Sequence, residues 1–397
     1  MKKPFLYKIS FLLLLSFIIN SCTEQYALQT NNFENALVIE ATITNELKKQ
    51  EIKISKTYRL EENGPTFESG ADVNITDNSG NSYEFEEQSG TYLSKSEFQA
   101  VPERVYRLNI TTKDGRSYSS SSETLTTVNN MENVIATVTS KDGERGVQIN
   151  VNSYDPTGTS KYYRYEYEET YKIVAPQWDY EMTRLTPPLP GEAHEGILIL
   201  PRVGESKTCY TTKNSDNIIL KTTSDLSEDR VNYPIRFISN QNYIITHRYS
   251  ILVRQFVQTL NSYSYYKTLK ELSSSESILS PNQPGFFYGN IKSLENPNEK
   301  VIGFFEVSSV SSKRIFFNYE DLFPGERLPP YFMDCLEREF VFCFGDPPCK
   351  GAALISAIGS NTLVHFASEG LKFLMVPPPC GDCTTFSSNI VPPFWIN

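Results

Sequence analysis

From residue 36 onward, apolar and polar side chains alternate in short runs. Leu37, Ile39, Ala41 and Ile43 fall on one face, followed by Ile52 with Ile54, Val73 with Ile75, Tyr83 with Phe85, Tyr92, and then Tyr106, Leu108 and Ile110. A period of two puts successive side chains on opposite faces of a strand. Turn signals separate the runs at Asn78-Ser79-Gly80, Ser89-Gly90 and Asp114-Gly115, the last a two-residue hairpin cue. About seven short strands in roughly 90 residues predict an immunoglobulin-like β-sandwich over residues 36–127.

The polar stretch Thr126 to Asn133 reads as a linker into a second β series. Val147, Ile149 and Val151 alternate, a turn follows at Asp155-Pro156-Thr157-Gly158, and Tyr163, Tyr165 and Tyr167 then oppose Arg164, Glu166 and Glu168 as in a half-exposed strand. Residues 176–201 are rich in proline and glycine and read as a long excursion. Strand character resumes at Ile218-Ile219-Leu220 and at Ile251, Val253 and Gln255, with Asp225 to Asp229 as an acidic turn between them. From Leu260 the spacing becomes helical, with Leu260, Tyr263, Tyr266, Leu269 and Leu272 predicting an amphipathic helix near 260–273. The runs VIGFFEV and RIFF predict the closing strands of a second sandwich over 128–322. Residues 323–397 are richer in Pro, Gly and Cys and are expected to pack on that domain as a disulfide-held tail. The expected fold is mainly β, with two tandem antiparallel sandwiches of immunoglobulin or fibronectin kind.

The amino end carries a different pattern. Lys2, Lys3 and Lys8 precede and flank an apolar run from Phe11 to Ile19, interrupted at Ser16 and followed by Ser21 and Cys22. That run is far shorter than the ~20 residues needed to cross a bilayer. It reads as a secretory signal peptide over 1–21. Ile19-Asn20-Ser21-Cys22 resembles a lipobox, which makes Cys22 the lipidation site and 22–35 a tether. Two or more acyl chains anchor stably where one does not, so a triacylated Cys22 would hold the protein on a membrane without a helix. The alternative is a secreted protein whose Cys22 pairs with another cysteine. Thr23-Glu24-Gln25 leaves the periplasmic or cell-surface face open.

Charge and cysteine usage narrow the partners. The net charge of −10 becomes −13 once Lys2, Lys3 and Lys8 leave with the leader, and no basic cluster remains, which argues against nucleic acid. The other six cysteines, Cys209, Cys335, Cys343, Cys349, Cys380 and Cys383, all lie in the second half and read as disulfides of an oxidising compartment. Six cysteines allow 15 pairings. Cys343 with Cys349, across the short FGDPP loop, is the first pair expected, leaving the other four to bridge the tail to the domain body.

Candidate chemistry is sparse. Cys380-Gly381-Asp382-Cys383 has the spacing of half a zinc site or a redox pair, but it follows three prolines and lacks a matching second pair of ligands. Three histidines, His194, His247 and His365, and the absence of metalloprotease, nucleophile-elbow or phosphate-loop motifs leave no catalytic residue, metal or cofactor to name. His194-Glu195 reads as a solvated loop pair, and Glu86-Glu87 and Glu168-Glu169 as solvated neighbours on opposite strand faces. Asp77 to Gly80 reads as a hairpin turn rather than a calcium loop. Trp178 offers either an aromatic platform or simple packing.

Several stretches together resemble one lipoprotein family of the Bacteroidota, catalogued as domain of unknown function 4249. They are Leu37 to Ala41, Cys209-Tyr210, Ile251 to Gln255, Gly289-Asn290-Ile291, Gly303-Phe304-Phe305, Cys380 to Thr384 and Pro393-Phe394-Trp395. The resemblance implies an outer-membrane lipoprotein often encoded beside a TonB-dependent receptor of the SusC type, with no established enzymatic activity and no active site to carry over. The expected function is a non-catalytic accessory lipoprotein that binds the membrane through Cys22, a TonB-dependent receptor, and a small-molecule, peptide or glycan ligand. A surface-anchored hydrolase of glycan or peptide, and an adhesion or envelope-structural module, are the alternatives.

Overall fold

One strand organises the molecule. In the computed structural model, Val301–Phe317 runs for 17 residues and changes partner midway. Its first half pairs in parallel with Leu37–Thr44, from Leu37 opposite Val301 to Thr44 opposite Ser308. Its second half pairs antiparallel with Tyr249–Val257, from Val257 opposite Ser309 to Tyr249 opposite Phe317. The structure describes residues 36–58, 62, 64–190, 194–274 and 288–396, so the expected leader, Cys22 and the tether lie outside the described residues.

The run VIGFFEVSSV suits this place because, apart from Glu306, whose charge is paired with Arg164, it is apolar or small on both faces, and nearly every residue from Val301 to Val310 is buried. The segments read from sequence as two closing strands are therefore one, and the first half of it joins the strands of the first unit. Ile291–Ser293 joins them too, pairing with Ser117–Ser120.

The first core follows directly from the alternation. Ile39, Ile43, Ile52, Ile54, Val73, Ile75, Tyr106, Leu108 and Ile110 are buried together with Ile291, Phe305 and Val307. Within the first unit, Ile291–Ser293 ends the strand order on one side and the first half of Val301–Phe317 ends it on the other, and Ile291, Phe305 and Val307 share one core, so the sheet coils around it. Its two edges are joined by a side chain. Asn290 Oδ1 accepts from the Phe305 N–H at 2.7 Å, and Asn290 Nδ2 donates to the Phe305 carbonyl at 2.8 Å, while the Asn290 carbonyl accepts from Ser121 N–H at 2.8 Å. Close approach requires glycine here: a Cβ on Gly289 would lie 1.5 Å from the Gly303 carbonyl, and one on Gly303 would lie 2.3 Å from that of Ile39.

The second core lies between two layers. Met131–Lys141, Glu144–Asp155 and Asp229–Ser239 form a three-stranded sheet. Its Val147, Ile149 and Val151 meet Tyr163, Tyr165, Ile251 and Val253 of the large sheet. The opposite face of Tyr162–Val174 is covered at Arg164, while Glu166 and Glu168 further along stay partly exposed, as a half-exposed strand requires. Helix Leu260–Ser274 lies over the covered part, and the buried Arg164 guanidinium sits 4.3 Å from the Phe256 ring and 4.7 Å from Tyr266 while pairing with Glu306. This burial also shifts the helix face: Ser262 is buried against Glu306, whereas Leu260, in the first turn, is 55% exposed. Among the described residues no helix is long and apolar enough to cross a membrane.

The Pro/Gly-rich excursion folds as a hairpin, Glu181–Thr186 with Gly196–Pro201. It packs beside the tail, whose strands Arg338–Val341, Lys372–Val376 and Val364–Glu369 form a small sheet with helix Gly351–Gly359, an element absent from the sequence expectation. Ile197 of the hairpin meets Leu354, Leu363, Phe373 and Met375. Disulfides join Cys343 to Cys349, Cys335 to Cys380, and Cys209 to Cys383. The two cysteines of the CxxC thus take different partners, and the last bond fastens the tail to strand Thr208–Asn214.

The chain passes from one layer of the second unit to the other at Asp155. Its carboxylate accepts from Thr157 N–H at 2.9 Å, Thr157 Oγ1 at 2.6 Å, Ser160 N–H at 3.0 Å and Ser160 Oγ at 2.7 Å. Burial opposes ionisation there, but the donors of Thr157 and Ser160 outweigh it and hold the acid well below the usual carboxylate range.

Two outcomes follow from this architecture. Replacing Asn290 by Ala strips partners from a buried N–H and C=O, and urea unfolding should report a loss of about 2 kcal/mol; unchanged stability would show that the sheet closes without it. Because the folded Asp155 acid is depressed, its stabilisation is complete above its unfolded value near pH ~4 and disappears as pH falls through the lower folded value. The stability gap between wild type and Asp155→Asn, about 2 kcal/mol at neutral pH, should therefore shrink below pH ~4, and a gap constant down to pH ~2 would contradict the assignment.

Candidate functional site

An open cleft of about 560 Å³ forms where the second unit meets the C-terminal segment. Lys172 enters it from strand Tyr162–Val174, His247 and Arg248 from the turn before Tyr249–Val257, Glu320 from the short helix Tyr319–Leu322, and Leu328 and Trp395 from the tail. The Lys172 N–H donates to the Arg248 carbonyl at 3.0 Å, which sets the two cations side by side along neighbouring strands. Trp395 forms a wall because the tail is fastened. Beyond Cys383, the Ser388 carbonyl accepts from Tyr210 N–H at 2.7 Å, and the Trp395 ring stands edge-on to Tyr210 at 4.9 Å and to Phe316 at 5.8 Å.

The cleft is rich in donors. The Arg248 guanidinium packs 5.1 Å from the centre of the Phe316 ring and donates through Nη1 to Asn318 Oδ1 at 3.2 Å. Among the described residues no carboxylate lies within 4.0 Å of Arg248 or of Lys172 Nζ. Arg248 Nε and Trp395 Nε1 are buried without an acceptor among the described residues. Burial first, and the neighbouring Lys172 second, pull His247 below the ordinary imidazole value. Glu320, the one acid on the lining among the described residues, accepts from Gly325 N–H at 2.9 Å. These groups can hold an anion. They contain no hydrogen-bonded nucleophile and base.

Elsewhere the buried carboxylates are engaged by donors of the chain, while buried His365 has neither ring nitrogen hydrogen-bonded among the described residues. Glu169, read from sequence as solvated, is buried; it accepts from Tyr249 OH at 2.6 Å and pairs with Arg236 at 3.2 Å. Its neighbour Glu168 pairs with Arg314 at 2.7 Å. Glu306 takes Gln258 Nε2 at 2.9 Å along with Ser262 and Arg164. Asp77 caps its hairpin by accepting from Ser79 and Asn81 N–H groups and pairs with Arg104. His194 stacks on Phe344 at 3.9 Å. Trp178 packs on the second core and donates to Ser206 Oγ at 2.9 Å, with Lys207 over its ring. Among the described residues no group of three or more His, Cys, Asp or Glu is placed to hold a metal.

Sequence reasoning did not single out Lys172, His247 or Arg248 as a site, and it met Trp395 only within the family-like stretch Pro393-Phe394-Trp395. Isolated cations at strand ends carry no spacing signal. They become a site through contacts made by distant segments.

No curated protein sequence matches the chain. Among solved structures, a DUF4785 family protein from Legionella pneumophila is 11% identical, with 54% of this chain and 50% of that one covered and a TM-score of 0.17. The BSP domain of a biofilm associated protein is 7% identical, with 72% and 59% covered and a TM-score of 0.16. The chain thus spans about half the length of the first and under two thirds of the second, and neither score reaches the level of a shared fold. The family comparison is more specific, because it matches residues 23–314, from the first residue after Cys22 to within the strand shared by both cores. By that match, this chain belongs to the family described as domain of unknown function DUF4249.

Proposed function

We propose that this protein is a non-catalytic outer-membrane lipoprotein, anchored through Cys22, that holds a ligand in the cleft and serves as an accessory to a TonB-dependent transporter. The two β units act in this reading as immunoglobulin-like or fibronectin-like binding modules. The observation that carries the binding role is the cleft itself, where half-buried cations line an open space without carboxylate partners among the described residues, while buried carboxylates of the chain are engaged elsewhere. An acid–base enzyme needs a free pair of groups at the reacting bond. Here Glu169, Glu306 and Asp155 are each saturated by donors that fix the fold. The leader pattern and the lipobox-like Ile19 to Cys22 support the anchor.

The test is native purification from gently solubilised membranes, with intact-mass analysis of the same sample. The protein should bring down a TonB-dependent barrel and begin at an acylated Cys22. Recovery alone, or an amino end without fatty acid, would overturn the accessory role or the anchor respectively.

A further inference from the structure

We infer that the cleft takes a small molecule bearing an oxyanion, carboxylate or phosphate, held by Arg248 and Lys172 while its apolar body rests on Trp395 and Leu328. The inference rests on the ligand-holding reading above and adds the chemical class. Its basis is a contrast within the chain. Every other arginine among the described residues that is not solvent-exposed, from Arg104 to Arg314, has a carboxylate oxygen within 4.0 Å. Arg248 is half-buried and has none among the described residues; its guanidinium meets the neutral Asn318 amide and the face of Phe316. Taking a cation out of water without a counter-charge is costly. In an acidic protein with carboxylates in excess, leaving this one unpaired beside a second cation without a carboxylate sets up a positive site on a negative body.

The geometry suits a planar or tetrahedral oxyanion. Phe316 and Asn318 hold the guanidinium in one orientation, so less freedom is lost when its remaining N–H groups are engaged. Lys172 Nζ adds a point charge from the adjacent strand. Trp395 shares the Phe316 ring with Arg248, which places an aromatic wall next to the charged end. The cleft volume falls within the range of small-ligand sites.

The chain contains two tryptophans, Trp178 and Trp395, so a Trp178→Phe variant of the full chain leaves Trp395 as the reporter of the cleft. Titration with benzoate and with phenyl phosphate should change its emission saturably, and the tighter of the two identifies carboxylate or phosphate as the preferred head. Benzyl alcohol, of similar body but neutral, should bind at least about tenfold more weakly. Arg248→Gln and Lys172→Gln, each checked for unchanged thermal unfolding, should each weaken anion binding by about tenfold. Equal binding of benzyl alcohol, anion binding untouched by both substitutions, or no response to either anion would overturn the inference. If the anions fail while a barrel still co-purifies, the oxyanion class falls and the accessory reading stands; if they bind but no barrel is recovered, the accessory reading alone falls.

Discussion

The double allegiance of strand Val301–Phe317 is the constraint on which the remaining structure depends. A strand buried on both faces must be apolar or small except where a charge is paired, as Glu306 is with Arg164, and it must find hydrogen-bond partners on whichever flank is offered. Here the flank changes at Ser308 and Ser309, two small buried residues that accept the switch from Leu37–Thr44 to Tyr249–Val257. Both cores therefore draw on one segment, with Phe305 and Val307 serving the first and Phe317 the second. The contacts among Gly289, Asn290, Gly303, Phe305 and Ile39 complete the arrangement. Three of the stretches by which the chain resembles its family, separated widely in sequence, thus meet at one point in space.

Much of the strand content was legible because alternation is a local property. Ile39, Ile54, Ile75 and Leu108 in the first series, and Ile149 in the second, are buried as their period of two requires. The Asp155 to Gly158 turn and the helix beginning at Leu260 follow from turn chemistry and helical spacing in the same way. What the sequence did not reveal depends on partners far away. Serines at 308, 309, 311 and 312 made one strand look like two, since nothing local says that two sheets converge on them. Glu169 and Arg164 looked solvent-facing until Arg236 and Tyr249 covered one and helix Leu260–Ser274 the other. The cleft was invisible for the same reason, because its wall at Trp395 exists through the bond between Cys209 and Cys383 and the packing on Tyr210.

The distribution of charge separates scaffold from site. Asp155, Asp77, Glu169 and Glu306 each collect several donors and act as local fasteners at turns and between layers. Such fully satisfied groups add rigidity and leave no reactivity to spare. Lys172 and Arg248 break that pattern, and they do so beside the segment pinned by a disulfide, where the surrounding geometry is fixed before any ligand arrives.

The shared strand also bears on how the protein is made. Asn45 accepts from the N–H of Val310, a partner 265 residues away, and Leu37–Thr44 has no parallel neighbour until Val301–Ser308 exists. Synthesis proceeds from the amino end, so that edge stays raw while most of the polypeptide emerges, and pairing across so long a loop is slow to nucleate. A chain ending before residue 301 would present an open β-edge at Leu37–Thr44, the kind of edge that templates aggregation. The topology that unites the two halves thereby leaves the first strand without its parallel partner until residues 301–308 are available.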